Sequence, residues 1–434
     1  MKGPTALAPL TGSGFRRLWG GQLCALLADG AFTTALIWLA LQQGGAVGVS
    51  TVVTARLVPR LVLVVLGGVL ADRFRHSVVL GATGLAQGVA VAVLAVLTAL
   101  GDAPVWQLAV LGAVAGAAGA PFFPALNAAV PESVPAAQLP AANALIVVGR
   151  LLGLQFVGPA AGGLLVGLAG AWPAFSAIAV VYALSGLVLF RLPSAPVGDR
   201  VAARELGGAL TAGLRYVRAT PWLLSLLLCF AAVNLLIAGP AVTLVPTLVE
   251  SEFQGSATTL GLMLAAYGLG GGVAALGIAR VVPDDNDQAL RRLYGAFVCA
   301  GLSLGALGLI DLLPLAMILY ALAGAAGEYG NVVWITVMQR RVPGRLIGRI
   351  SSLDWFLSLS LVPLSTALSG TVAENLGAGT VLVWCGGLCA GLLALALLVA
   401  PRTPGPSRDA GDGPGVQDVN PDVNAGASAT DRSG

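Results

Sequence analysis

The sequence predicts an all-α membrane protein of twelve transmembrane helices, arranged as two pseudo-symmetric six-helix bundles. Three observations carry this expectation. The first is composition: of 434 residues, 57% are hydrophobic and 10% charged, whereas a soluble domain carries about 25% charged residues. So few charges leave too little polar surface to cover a water-soluble fold. The apolar residues also fall in long unbroken runs, not in the alternating strands of about ten residues that build a membrane barrel. The second observation is a one-sided distribution of arginine, and the third is a repeat between the two halves of the chain.

Spanning segments are predicted at 17–42, 49–70, 77–100, 104–128, 141–168, 172–191, 221–247, 258–281, 292–311, 314–337, 351–373 and 379–400. Each can cross a hydrocarbon core of ~30 Å at about 1.5 Å per residue. With the N-terminus inside, the odd-numbered turns hold Asp102, Glu250, Glu252, Asp311 and Glu374 but no Lys or Arg. The even-numbered turns hold Arg73, Arg75, Arg191, Arg200, Arg204, Arg215, Arg218, Arg291, Arg292, Arg340, Arg341, Arg345 and Arg349. The positive-inside rule then puts both termini in the cytoplasm. Lys2 is the sole lysine, a bias typical of GC-rich bacterial genomes, so a bacterial cytoplasmic membrane is the expected location. The first apolar run is too long for a secretory signal and lacks a small-residue cleavage site.

The organisation expected from these segments is a cytoplasmic N-terminus over 1–16, a first bundle over 17–191, a linker over 192–220, a second bundle over 221–400 and a cytoplasmic tail over 401–434. A short amphipathic helix is predicted over Ala203–Arg218 in the linker. The tail, rich in Pro, Gly, Asp and Ser, cannot bury enough apolar surface to order itself. Landmarks repeat between the bundles at a near-constant offset. Asp29 aligns with Asn234, 205 residues on (234 − 29); Pro159 with Pro363, 204 on (363 − 159); Pro135 with Pro343, 208 on (343 − 135). Two parallel halves with a site between them near the midplane describe a rocker-type transporter.

Two motifs point the same way. The turn after the second segment reads Gly67-Gly68-Val69-Leu70-Ala71-Asp72-Arg73-Phe74-Arg75-His76, and the fifth segment carries Gly158-Pro159-Ala160-Ala161-Gly162-Gly163. Glycine lets helices approach closely, an acid beside bases can form an inner-face latch, and proline kinks a membrane helix. The turn resembles the inner-loop signature of the major facilitator superfamily, with Gly68, Asp72, Arg73 and Arg75 as its gating residues. Arg75 stands where the family has a second glycine. Gly158, Pro159, Gly162 and Gly163 resemble the helix 5 signature of the superfamily's exporters. Phe15-Arg16-Arg17-Leu18-Trp19, Asp29-Gly30, Ala142-Asn143-Ala144-Leu145 and Gln339-Arg340-Arg341-Val342-Pro343 look like the exporter branch that includes enterobactin exporters and macrolide-efflux proteins. The resemblance runs from about residue 14 to 400. It implies helices 1, 4, 7 and 10 around a central cavity, so that Asp29, Asn234 and Glu328 face one path.

Charge inside a membrane is costly, at least ~2.5 kcal/mol per group on insertion scales. Asp29 and Glu328 are the acids expected to sit deep, with Arg60, Arg56 and Arg150 the deep bases. Arg56 and Arg60 share a face at i,i+4. Asp29 admits two readings: a structural salt bridge to that pair, or a coupling carboxylate, which a permanent partner would prevent from cycling protons. Glu328 has no cation beside it in its own half and is the favoured proton carrier. Asn234, Asn331, Trp334, Arg60, Arg56, Arg150 and Tyr267 are candidates to line a substrate cavity, with Trp38 and Trp355 as further aromatic contacts. His76, the sole histidine, reads as a member of the inner basic patch.

Other chemistry is not expected. Cys24, Cys229, Cys299, Cys385 and Cys389 fall in apolar runs and read as buried thiols. Tyr267-Gly268-Leu269-Gly270-Gly271-Gly272 has no strand before it, so it reads as helix packing rather than a nucleotide loop. There is no metal-ligand spacing, no cofactor motif and no nucleophile–base constellation, which argues against an enzyme. The function implied is secondary active transport, proton-coupled efflux of a small amphipathic molecule. An importer or uniporter of the same fold, or a non-transporting membrane receptor, is the alternative. The expected partners are a small-molecule substrate, protons and the lipid bilayer, with no nucleic acid, for a protein acting as a monomer.

Overall fold

The computed structural model describes residues 7–101, 103–193, 215–278, 283, 285–342 and 344–399, with only the backbone described at 65–72, 276, 278, 286, 344–346, 348, 349, 352, 355, 356, 358, 359 and 399. The residues of the amphipathic helix predicted before Arg215, and the tail from Pro401, lie outside the described residues, as do the surroundings of Gly68 and the side chain of Asp72.

Helices α1 (13–43) and α2 (46–73) form a run from Ser13 to Arg73 that breaks at Gly44 and Gly45. Gly45 has φ 56° and ψ −150°, a backbone state that a residue with a Cβ rarely adopts. The turn therefore falls where the apolar runs part. Helix α3 is His76–Leu100, α4 is Val105–Ser133, α5 is Ala136–Ala169 and α6 is Ala171–Phe190. The second half of the chain supplies α7 (Pro221–Ser251), α8 (Ala257–Ile278), α9 (Asn286–Ala306), α10 (Leu313–Arg341), α11 (Gly344–Leu376) and α12 (Ala378–Val399). Ten stretches of described residues are long and apolar enough to cross a membrane. One of them contains both α1 and α2, and the 33-residue α11 brings the helices of spanning length among the described residues to twelve.

Several helix ends run four or five residues from the expected bounds, and two starts differ more. Helix α9 starts at Asn286 and α11 at Gly344, each before its apolar run. Backbone hydrogen bonds carry these helices through Arg291 and Arg292, and through Arg345 and Arg349, because a helix can emerge from the apolar zone without ending. Large apolar side chains such as Leu168 (82% exposed) and Trp384 (71% exposed) point outward, as on a surface that lipid covers.

Buried apolar residues form three clusters among the described residues. One crosses both halves, joining Phe32, Leu36 and Phe175 to Leu244, Leu260 and Met263. It lies toward the end that carries the acidic turns. The other two lie toward the Arg-rich end, one in each half: Phe15, Leu18 and Phe122 in the first, Leu223, Phe230 and Trp334 in the second. The halves therefore share a core at one end and keep separate cores at the other.

Where the halves meet, they do so over small residues. On α5 and α8, Gly163 faces Ala257 and Gly261 so closely that an added Cβ would strike backbone, and Thr258 Oγ1 donates to the Gly163 carbonyl at 3.5 Å. On α2 and α11, Gly370 faces Ala46 and Ser50, and Thr54 Oγ1 donates to the Pro363 carbonyl at 3.4 Å. Small residues allow such close helix approach in a membrane.

Candidate functional site

A cavity of about 530 Å³ lies on the Arg-rich side of this seam. Phe230, Val233 and Asn234 of α7, Tyr267 of α8, Phe297 of α9, Glu328, Asn331 and Trp334 of α10, and Asp354 of α11 line it. Among the described lining residues the first half contributes Arg150 of α5.

Two wall helices are locally widened. Helix α5 is π-helical over Leu151–Phe156, just before Gly158-Pro159, and α7 over Asn234–Ala238, just before Gly239-Pro240. Proline has no N–H and its ring displaces the carbonyl four residues earlier, at Gln155 and Leu236 respectively. A wide turn absorbs that displacement, and such bulges recur at functional sites. In α5 the bulge sets Gln155 toward the second half, where its Nε2 donates to Glu328 Oε1 at 3.5 Å. In α7 it begins at Asn234, whose Nδ2 donates to the Phe230 carbonyl at 2.9 Å.

The sequence candidates divide accordingly. Glu328, Asn331, Asn234, Tyr267, Arg150 and Trp334 all reach the cavity. Trp334 lines it yet is 1% exposed. Its exposure is the better guide to its role, a backing wall rather than an open contact. Its ring packs on Phe230 with centroids 5.0 Å apart, and its Nε1 donates to Asp354 Oδ2 at 3.0 Å. Tyr267 packs on Tyr320 with centroids 4.9 Å apart.

Arg56 and Arg60 do not line the cavity, contrary to expectation. They turn into the first half toward Asp29, because a buried carboxylate and two guanidiniums on neighbouring helices satisfy one another. Arg56 Nη2 donates to Asp29 Oδ1 at 2.5 Å and Arg60 Nη1 to Oδ2 at 3.5 Å. Tyr182 Oη donates to Oδ1 at 2.8 Å, and Gln87 Nε2 to Tyr182 Oη at 3.4 Å. Arg56 also donates to Thr33 Oγ1 and lies over the Phe32 ring, 4.9 Å from its centroid. Asp29 and Arg56 are each 6% exposed. The geometry is that of a buried ion-pair node, and Asp29 is not among the cavity's lining residues. Trp38 is likewise buried in the core, and the Trp355 side chain lies outside the described residues.

Two further corrections concern single residues. His76 is buried at 5% exposure, with Nδ1 3.2 Å from Glu132 Oε2, so it bridges α3 and α4 instead of joining a solvated patch. Asp354 is a third deep acid that the sequence reading passed over. It stands ten residues into α11 (354 − 344), with Oδ1 buried and without a partner among the described residues. The signal available was its distance from Gly344, hidden because the apolar run begins only at 351. Gly158, Pro159, Gly162 and Gly163 are all buried. Gly158 and Gly162 face Gly30 and Ala31 of α1, and Gly163 faces α8. Arg73 ends α2 and Arg75 caps the start of α3. No group of three or more His, Cys, Asp or Glu that could hold a metal ion occurs among the described residues.

A helical membrane bundle whose halves meet over small residues and enclose a cavity bearing acids has the build of a secondary transporter of the major facilitator superfamily. The match to a family model confirms it: residues 4–425 fit the family described as transmembrane secretion effector, and the chain belongs to that family, whose members are transporters and not enzymes. The multidrug efflux pump Tap of Mycolicibacterium fortuitum is 29% identical over 368 residues, covering 82% of this chain and 88% of that protein. The enterobactin exporter EntS of Shigella boydii serotype 18 is 30% identical over 291 residues, covering 66% of this chain and 67% of that protein. The crystal structure of the nucleoside transporter NupG aligns with TM-score 0.71 at 12% identity, over 90% of this chain and 100% of that one, a likeness of fold.

Proposed function

We propose that this chain exports a small amphipathic molecule of drug or siderophore type from a bacterial cytoplasm in exchange for protons, by alternating access between two six-helix bundles, 17–191 and 221–400. The observation that carries the reading is the divided core. The halves share one apolar cluster at the end with the acidic turns and keep two clusters at the Arg-rich end, with the cavity on that side. With the Arg-rich turns in the cytoplasm, as the positive-inside rule requires, this is the inward-facing state. Both termini then lie in the cytoplasm, and one chain holds the complete path, so the unit of transport is a monomer.

The export direction rests on the helix 5 motif and on relatives that are themselves efflux pumps. Glu328 is the coupling acid: it stands in the cavity wall and its partner Gln155 belongs to the opposite half. Asp29, clamped by two arginines, holds the first half together. The Phe230, Phe297 and Trp334 wall suits an apolar body, with Asn234, Asn331 and Arg150 to meet its polar groups.

Accumulation of a panel of fluorescent amphipathic dyes in a pump-deficient host tests the proposal. Cells expressing the chain should hold less of a transported dye than control cells, and an uncoupler should erase the difference. Higher accumulation than in controls would make the protein an importer, and a difference that survives the uncoupler would remove the proton coupling.

A further inference from the structure

Gln155 is uncharged, yet its side chain carries a contact from α5 to the acid of the cavity. Its Nε2 donates to Glu328 Oε1 at 3.5 Å, and its own Oε1 is buried without a partner among the described residues. Gly268 of α8 packs directly on the Gln155 backbone, so the widened turn is held against the second half with no side chain between. A carboxylate can only accept hydrogen bonds, whereas a protonated carboxyl also donates one. A primary amide offers both functions, an N–H donor and a carbonyl acceptor. Leaving a buried acceptor unmet is unfavourable, and the proton that would meet it is the one Glu328 carries.

We propose that Gln155 is the positioning residue of a two-state proton site at Glu328: its Nε2 holds the ionised carboxylate, and its Oε1 accepts from the protonated carboxyl after the amide rotates about its terminal bond. The inference rests on Glu328 being the proton carrier of the proposed function. A proton from water on one side forms one O–H bond on the carboxylate, taking it from a charge of minus one to neutral. It leaves to water on the other side as that bond breaks, and no other bond changes. Because the contact runs from α5 to α10, it joins the two halves. Parting them there removes the amide from both states of the acid, which ties proton binding to the arrangement of the halves.

The other charged or titratable groups that share the cavity are Arg150 on α5, Tyr267 on α8 and Asp354 on α11, while the described lining residues of α7 and α9 are uncharged. All of these remain in place when Gln155 alone is replaced.

Infrared titration of the full-length protein in lipid nanodiscs tests the assignment without a transported substrate. The carboxyl C=O band of Glu328 is identified by its loss in Glu328→Gln. Gln155→Met keeps the shape and removes the amide. A hydrogen bond to the ionised form is worth more than one to the neutral form, so the midpoint should move to more alkaline pH by about one unit, tenfold in proton affinity. The band frequency should shift with it. Gln155→Asn, one methylene shorter, should fall between and carries the test if the Met variant does not fold. A band that titrates in the wild type but is unmoved in midpoint and frequency by either variant overturns the role of Gln155 alone. A Glu328 band that never titrates overturns the proton carrier as well, and both ideas fall together.

Discussion

Asp29→Asn is the most informative single substitution in the first half. It removes a charge and keeps the shape, so what it costs is the loss of the ion pair. Arg56, 6% exposed, would keep the Thr33 hydroxyl, the face of Phe32 and a neutral amide oxygen but no counter-charge from residue 29, and its Nε already has no partner among the described residues. Breaking one side of such a buried pair costs ~3–5 kcal/mol. The lower end applies here because the asparagine oxygen still accepts one bond. Arg60 is a different case: its side chain is 26% exposed and its bond is 3.5 Å, so screening should reduce its share to less than about 1 kcal/mol. Asp29→Asn should therefore lower the thermal midpoint of the purified protein and its abundance in the membrane. Adding Arg56→Met should recover most of the loss, with a coupling of ~2–3 kcal/mol in the double-mutant cycle, and Arg60→Met should recover little. Wild-type stability in Asp29→Asn, or better rescue through Arg60, would refute the ion-pair reasoning. A stable Asp29→Asn protein that transports without proton coupling would make Asp29 the carrier.

Three further outcomes are expected. In a cysteine-free background, cysteines at Gln43, Ser256 and Glu374 should react with an impermeant reagent outside intact cells, while those at Phe74 and Arg191 should not; outside labelling of Arg191→Cys would break the topology. Trp334→Phe should cost ~1–3 kcal/mol by stripping the buried Asp354 of its donor, and the cost should shrink in an Asp354→Leu background; equal costs in both would mean that the bond contributes nothing. At Gly261 an added Cβ would lie 2.8 Å from the Pro159 carbonyl and 2.9 Å from the Gly163 Cα. Gly261→Val should hence reach the membrane but reduce export to the level of cells without the protein, and wild-type export would show that the seam tolerates being forced apart.

The fold was legible because its cause is written in composition. Runs of apolar residues, turn arginines found only in alternate turns and a repeated proline each follow from the bilayer and need no knowledge of contacts. The pairing of Asp29 with α2 was legible only as one of two readings, since Arg56 and Arg60 are one helical turn apart on a neighbouring span but could equally have faced a cavity. What stayed hidden depends on rotation and depth. Whether Arg56 turns toward the cavity or into its own half is decided by Tyr182 and Thr33, which come together only in three dimensions. Asp354 was hidden by a helix that begins before its apolar run. His76 was hidden because its partner Glu132 lies 56 residues on, at the far end of the next helix, and Gln155 because a π turn, set by Pro159, rotates it onto a face that regular helical spacing would not assign.

The glycine seam bears on how such a protein changes over time. Ser50, Gly163, Gly261 and Gly370, where the halves pack over small residues, do not line the cavity, and of the residues named in its wall it is Glu328 that also reaches across to the opposite half, at Gln155. Recognition and motion are thus assigned to different positions of the same helices. Replacing Asn331 or Phe230 can alter what the cavity accepts without adding an atom to the surfaces that must part and rejoin. The seam glycines in turn gain nothing from variety, because a Cβ added at Gly163, Gly261 or Gly370 would be an obstacle. One branch of transporters could diversify its cargo quickly on such a plan, with its wall residues drifting while a handful of glycines stay fixed.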